Sequence, residues 1–178
     1  MSEHQPRIVP PSGGGKGMFF DTPLDFEIEE LARVAMRAMR LDPLLTEVVR
    51  LRCAEYHDCR ICSSLRIADA VAEGLDEEMR DEIRRYEDSN LDERFKVALR
   101  FVDAMIIDPR TLDGDLARDL RAHFTDTEIA EMSFNIMKWS FQKALVALRL
   151  EQPPWEGLAS LSFDSIGETV ITTAAAVR

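Results

Sequence analysis

The sequence predicts an all-α domain of about seven helices. From Leu24 onward, apolar residues recur with the 3.6-residue period of helices that pack on a core. Helix-capping residues precede several of these stretches, most clearly Asp42 before Pro43 and the capping box at Thr125 and Glu128. No convincing pair of strands accompanies them. With 178 residues, the chain is long enough for one domain with its own core.

The first two helices are expected to differ in their apolar surface. The first carries one stripe, formed by Ile28, Leu31, Val34, Ala35, Ala38 and Met39. The second begins after Asp42 with Pro43 at its first position. Its apolar residues extend around most of the circumference, so we expect it to be largely buried. Glu47, Arg52 and Glu55 would then lie beside or inside apolar surface.

Helix signals continue to about residue 152. Asp58 is interpreted as the N-cap of the third helix, and Gly74 as the residue that ends it. This places Cys59 in the first turn and Cys62 one turn later. The remaining helices are expected from Asp76 to about Tyr86, from Ser89 to just before Pro109, around Leu112 to Leu120, and from Thr125 to the stop at Pro153.

The two ends of the chain lack a helical period. Residues 1–20 contain Pro10, Pro11 and three consecutive glycines, and we expect a disordered or extended tail there. Residues 21–152 form the predicted helical domain, and residues 153–178 an arm of unknown role. Within this arm, the stretch 169–173 is either a short edge strand or a segment that packs on a neighbouring subunit.

Charge and composition argue against several classes of function. The net charge is −11 and the pI is about 4.8, whereas nucleic acids and anionic membranes are bound by basic surfaces. The chain has no apolar run long enough to span a membrane, and its N-terminus lacks the order of a secretory signal. We therefore expect a cytoplasmic protein that binds neither nucleic acid nor membrane.

All three cysteines lie in one short stretch, with Cys59 and Cys62 arranged as C-x-x-C. In a reducing compartment such a pair is typical of catalysis or metal binding. A helix N-terminus and the cations Arg60 and Arg66 would favour the reactive thiolate. One thiolate can attack a peroxide to give a sulfenic acid, and the second thiol can then condense with it, forming a disulfide and water. Cys53 is interpreted as a small core residue.

Less reactive interpretations of the same residues remain open. A C-x-x-C pair also occurs for packing alone. A structural zinc site would need four Cys or His ligands, and only His57 is near the pair, so the sequence argues against zinc. Arg66 could pair with Asp69, and Glu47 with Arg50, in weak surface-type contacts.

Glu47, Cys59, Cys62 and position 66 have the spacing of the motif E-x(11)-C-x-x-C-x(3)-H. The buried helix before the pair, Gly74 with the acidic helix start after it, and the opening of the late helix at Phe124 fit the same family. With them, roughly residues 24–150 resemble the AhpD-like alkylhydroperoxidases of the carboxymuconolactone decarboxylase superfamily. The resemblance implies a compact helical fold that forms trimers or hexamers, without a metal or organic cofactor. It also implies that Cys62 forms the sulfenic acid, that Cys59 is the proton donor and resolving thiol, and that Glu47 belongs to a proton relay.

Position 66 departs from the family pattern, because Arg66 replaces the relay histidine. Arginine stays protonated and cannot transfer a proton, although Arg66 could hold Cys62 as a thiolate or bind an anionic group. His57 and Glu55 are the nearby groups that could take over the relay.

The sequence therefore predicts a cofactor-free thiol peroxidase or disulfide oxidoreductase. Its candidate site residues are Cys62, Cys59, Glu47, His57 and Arg66. The expected partners are a peroxide or other small-molecule substrate, a dithiol reductant protein and further copies of the chain. Two alternatives remain, a non-enzymatic redox sensor or scaffold and a decarboxylase that acts on an acidic lactone. The C-x-x-C pair argues against the decarboxylase.

Overall fold

Helices make up most of the structure, a computed structural model that describes residues 5–8, 23–37 and 39–173. The α-helices in this part of the chain are α1 Pro23–Ala35, α2 Pro43–His57, α3 Arg60–Ser63, α4 Ala68–Ala72, α5 Glu77–Arg84, α6 Glu93–Ile107, α7 Gly114–His123, α8 Asp126–Ser140 and α9 Gln142–Leu148. Short 3-10 turns occur at Tyr86–Asp88 and Pro109–Thr111. Among the described residues, no helix is both long and apolar enough to cross a membrane.

Helix α2 is the centre of the fold. Through Leu45 and Val49 it joins an apolar cluster with α6 and α8, which contains the buried Trp139. Through Val48 and Leu51 it joins a second cluster with α4 and α5. Because apolar neighbours cover it on both of these faces, the expectation that this helix is largely buried is confirmed.

A three-stranded sheet corrects the all-α prediction. Its strands are β1 Leu65–Ile67, β2 Ala159–Phe163 and β3 Thr169–Thr173. β1 pairs in parallel with β2, and β2 pairs antiparallel with β3. β1 is only three residues long, too short to show the two-residue period of a strand. β3 lies at the edge of the sheet, which confirms the edge-strand interpretation of residues 169–173.

The helix predicted from Asp58 to Gly74 is divided into α3, β1 and α4. Asp58 ends α2 and does not begin α3. Its backbone is left-handed, with φ 54° and ψ 41°, and its N–H donates to the Glu55 carbonyl at 3.2 Å. A short polar side chain such as that of aspartate tolerates this conformation better than most residues. Cys59 then becomes the N-cap of α3 and does not lie within its first turn.

Most of the other predicted helix boundaries agree with the structure. Three predicted N-caps are confirmed, at Asp42, Asp76 and Thr125. Asp92, not Ser89, caps α6, because the Ser89 hydroxyl is engaged in the preceding turn with the Tyr86 carbonyl at 2.7 Å. The last predicted helix is divided at Phe141 into α8 and α9.

Only part of the predicted N-terminal tail lies within the described residues. In the described stretch 5–8, Arg7 donates from its backbone to the Leu148 carbonyl at 2.9 Å and from its side chain to the Ala147 carbonyl at 2.7 Å. This stretch is therefore held against the end of α9. The rest of the predicted tail, and residues 174–178 of the predicted C-terminal arm, lie outside the described residues.

Arg149 ends α9 in a left-handed conformation, with φ 57° and ψ 43°. A Cβ atom is disfavoured in this conformation, whereas glycine adopts it freely. We therefore expect Arg149→Gly to raise the free energy of unfolding by about 0.5–1 kcal/mol. The urea midpoint of the oxidised protein measures this change. Arg149→Ala keeps the Cβ and should give no gain, so an equal gain in both variants would contradict the backbone explanation.

Candidate active site

The candidate site is built on the short segment between α2 and β1. Here Cys59 and Cys62 are joined by a disulfide, with their Cα atoms 5.3 Å apart. Cys59 is 0% exposed, whereas Cys62 is partly exposed and lines a cavity. The third cysteine, Cys53, is free and buried in α2, where burial raises its pKa to about 12. Of the three sulfurs, that of Cys62 is therefore the one placed to meet a small molecule.

The cavity beside Cys62 has a volume of about 370 Å³, within the range of small-molecule pockets. Its wall is mainly apolar and includes Met36, Ile61, Leu65, Trp139, Leu161 and Ile171. Three charged side chains also line it, those of Glu29, Arg50 and Lys138. Because β2 and β3 supply part of the wall, the described part of the C-terminal arm belongs to the site.

The C-terminal arm also fastens the C-x-x-C segment. The Ile61 N–H donates to the Glu151 carbonyl at 2.9 Å, and the Glu151 carboxylate accepts a hydrogen bond from Arg60 at 3.1 Å. The Trp155 indole N–H donates to the Ser64 hydroxyl at 3.1 Å. These contacts fix α3 from the side that faces the arm, before the chain enters β2.

Glu47 and Arg50 form a buried ion pair beneath the segment. Arg50 Nε and Nη2 donate to the two carboxylate oxygens of Glu47 at 2.5 and 2.6 Å, and the residues are 3% and 0% exposed. Arg50 also donates to the carbonyls of Cys62 at 2.7 Å and Leu65 at 2.8 Å. Glu47 accepts the Ile67 N–H at 3.2 Å. The pair considered above as a weak surface contact is instead buried, and it holds both ends of the turn between α3 and β1.

Arg66 lies in β1, and its ion-pair partner is Glu77, not Asp69. Its Nε and Nη2 donate to the Glu77 carboxylate at 2.9 and 3.1 Å. Its Nη1 donates to the carbonyls of Ser63 and Leu65 at 2.8 and 2.7 Å. Arg66 is not among the residues that line the cavity. All three guanidinium nitrogens therefore donate hydrogen bonds, either to the carbonyls of the turn or to the Glu77 carboxylate.

The two residues considered as replacement proton carriers also lie outside the cavity wall. His57 is the last residue of α2 and is buried. Burial lowers the pKa of His57, and the nearby Gln142 opposes this shift only in part, so burial favours the neutral ring. Neither ring nitrogen meets hydrogen-bond geometry with a described residue. Glu55 is held in ion pairs with Arg80 at 2.7 Å and Arg84 at 2.8 Å.

Lys138 on α8 is the cavity residue that the sequence did not single out. It is half-buried, and burial together with the positive charge of Arg50 lowers the pKa of Lys138 to about 8. Its position beside Trp139 in the apolar stripe is the one available signal. Neighbouring residues on a helix point about 100° apart, so this signal does not tell which way the amine faces.

Comparison with known sequences found two relatives of part of the chain. No protein-family model matches the chain. Two uncharacterized proteins of Mycobacterium tuberculosis, from strains CDC 1551 / Oshkosh and ATCC 25618 / H37Rv, are each 42% identical to it over 118 residues. These residues are 66% of the chain but 42% of each relative, so the chain matches less than half the length of either.

A solved structure from another bacterium has a similar fold. It is the crystal structure of a protein of unknown function from Agrobacterium tumefaciens, a candidate antioxidant defence protein AhpD. It aligns with a TM-score of 0.65 at 21% identity, over 75% of this chain and 94% of that chain. The chain therefore has an AhpD-like fold.

Proposed function

We propose that the protein is a cofactor-free thiol oxidoreductase that reduces peroxides through the Cys59–Cys62 pair. The observation that carries this proposal is the unequal access of two cysteines close enough to form a disulfide. Cys62 lines a cavity of small-molecule size, while Cys59 is buried beside it. The AhpD-like fold supports the proposal, as does the description of the Agrobacterium protein as a candidate antioxidant defence protein.

The reaction begins with both cysteines reduced. The Cys62 thiolate attacks the terminal oxygen of a hydroperoxide ROOH, an S–O bond forms, and the O–O bond breaks to release RO⁻, which takes up a proton to give ROH. The Cys59 thiol then attacks the sulfur of the sulfenic acid, so that the disulfide forms and water leaves. A dithiol reductant restores both thiols by exchange. Overall, ROOH and a dithiol give ROH, water and the disulfide of the reductant.

The polar contacts of the site favour positioning roles for its buried ion pair. The Glu47 carboxylate is occupied by Arg50 and by the Ile67 N–H, which leaves it poorly placed to carry a proton to the cavity. Arg50 in turn holds the Cys62 carbonyl, so the pair fixes the backbone that presents the reactive sulfur.

Rapid mixing of the pre-reduced protein with cumene hydroperoxide tests this function. We expect one equivalent of peroxide to be consumed and two thiols per chain to be lost, much faster than with free glutathione. Addition of dithiothreitol should then sustain turnover. Stoichiometric oxidation without turnover would favour the redox-sensor alternative, and a rate no higher than that of glutathione would overturn the proposal.

A further inference from the structure

We propose that the cavity beside Cys62 binds small molecules that combine an apolar body with an acidic group, and that Lys138 is the counter-ion of that acid. This deepens the proposed function by naming a substrate class. Only the claim that the bound molecule is reduced rests on that function. The binding itself is independent of the thiol chemistry.

Among the described residues that line the cavity, Lys138 is a cation without an acidic partner. Arg50 is neutralised by Glu47, and Glu29 is exposed on α1. Among the described residues, none forms a hydrogen bond or an ion pair with the Lys138 amine, and the charge that acts on it is the like charge of Arg50. A cation in apolar surroundings is unfavourable unless it is paired, so a bound anion would stabilise it.

The apolar wall determines what else the ligand must carry. Apolar side chains from several elements line the same cavity as Lys138, among them Met36, Trp139, Leu161 and Ile171. An inorganic anion would leave this surface in contact with water, whereas a hydrocarbon body would cover it. The volume of about 370 Å³ suits a small organic acid and excludes a polymer. Since Cys62 belongs to the same wall, a peroxide on such an acid would share the cavity with the reactive sulfur.

The pH dependence of binding follows from the titration of Lys138. The amine binds an acid as ammonium, and burial beside Arg50 lowers the pKa of Lys138 to about 8. The affinity for a carboxylate should therefore fall as the pH rises through this value, by no more than the ammonium contributes to binding. Arg50 remains charged and paired with Glu47 over this range, and the disulfide of Cys62 does not titrate. Glu29 is the remaining charged residue of the wall.

The experiment uses the oxidised protein, with octanoate as the acidic probe and octanol as its neutral counterpart. Isothermal calorimetry measures binding at pH 6.5 and 9.5. At pH 6.5 we expect octanoate to bind about tenfold more tightly than octanol, and this preference to shrink at pH 9.5.

Variants at two wall positions test the role of the amine. Lys138→Met keeps a long side chain and should remove the preference for octanoate. Lys138→Arg should retain the preference at both pH values, because arginine does not lose its charge. Glu29→Gln removes the negative charge of the wall and serves as the matched control. It should bind octanoate at least as tightly as the wild type. Thermal unfolding confirms that each variant is folded.

Two outcomes would overturn the inference. They are equal binding of octanol and octanoate, and a preference for octanoate that survives Lys138→Met. Octanoate binding without any peroxide turnover would leave the inference intact and overturn only the proposed function.

Discussion

Replacement of Cys62 by serine is expected to reduce peroxide turnover to the background rate. A serine hydroxyl is not ionised near neutral pH and cannot take an oxygen atom from a peroxide, whereas a thiolate can. Cys59 cannot substitute for it, because it is 0% exposed in the oxidised protein. Steady-state peroxide consumption with dithiothreitol as reductant measures the effect.

Two further cysteine variants separate the roles of the sulfurs. Cys59→Ser should consume one equivalent of peroxide and stop as a sulfenic acid at Cys62, which dimedone labels and mass spectrometry locates. Cys53→Ala should keep full turnover, because burial raises the pKa of Cys53 to about 12 and keeps it protonated. Turnover in Cys62→Ser combined with its loss in Cys59→Ser would reverse the assignment of the two residues.

Glu47→Gln is expected to lower the free energy of unfolding by about 3–5 kcal/mol. The substitution leaves the Arg50 guanidinium buried without its counter-ion, and a buried charge that loses its partner is strongly unfavourable. Urea denaturation of the oxidised protein measures the change. Glu77→Gln is the matched control, since Glu77 also binds an arginine through both oxygens but has a side chain that is 60% exposed. It should cost no more than about 1 kcal/mol.

A double variant distinguishes the cost of the orphaned charge from that of lost packing. Glu47→Leu combined with Arg50→Met removes both charges and should recover much of the stability that Glu47→Gln loses. It also removes the donors that hold the Cys62 and Leu65 carbonyls, so peroxide turnover should not recover with stability. A loss in Glu47→Gln no larger than in Glu77→Gln would contradict the buried-charge explanation.

Features that depend on neighbouring residues could be predicted from the sequence. The capping box joins Thr125 to Glu128 within one helical turn. The apolar residues of α2 likewise predict its burial from nearby sequence alone. The spacing of Cys59 and Cys62 is likewise local, and it sufficed to identify a pair that the structure joins in a disulfide.

Features that depend on distant residues could not be predicted. β1 exists because Leu65 pairs with Ala159, and nothing near Leu65 in sequence announces that partner. The sequence indicated apolar surroundings for Glu47 but not for Arg50, which is held by the distant Cys62 and Leu65 carbonyls. Lys138 reaches the cavity only because α8 packs against α2. The cysteines of the candidate site could therefore be identified from nearby sequence, whereas the cavity wall depends on contacts between residues far apart in the chain.

Because β2 forms part of that wall, the cavity is completed late in the synthesis of the chain. Cys62 leaves the ribosome well before Leu161, the buried β2 residue that lines the cavity. At the usual elongation rates of about 5–20 residues per second, the delay amounts to about 5–20 s. During this interval the nascent C-x-x-C pair is present while its cover is still being made. Reducing conditions around the nascent chain would keep both thiols intact until the hairpin docks.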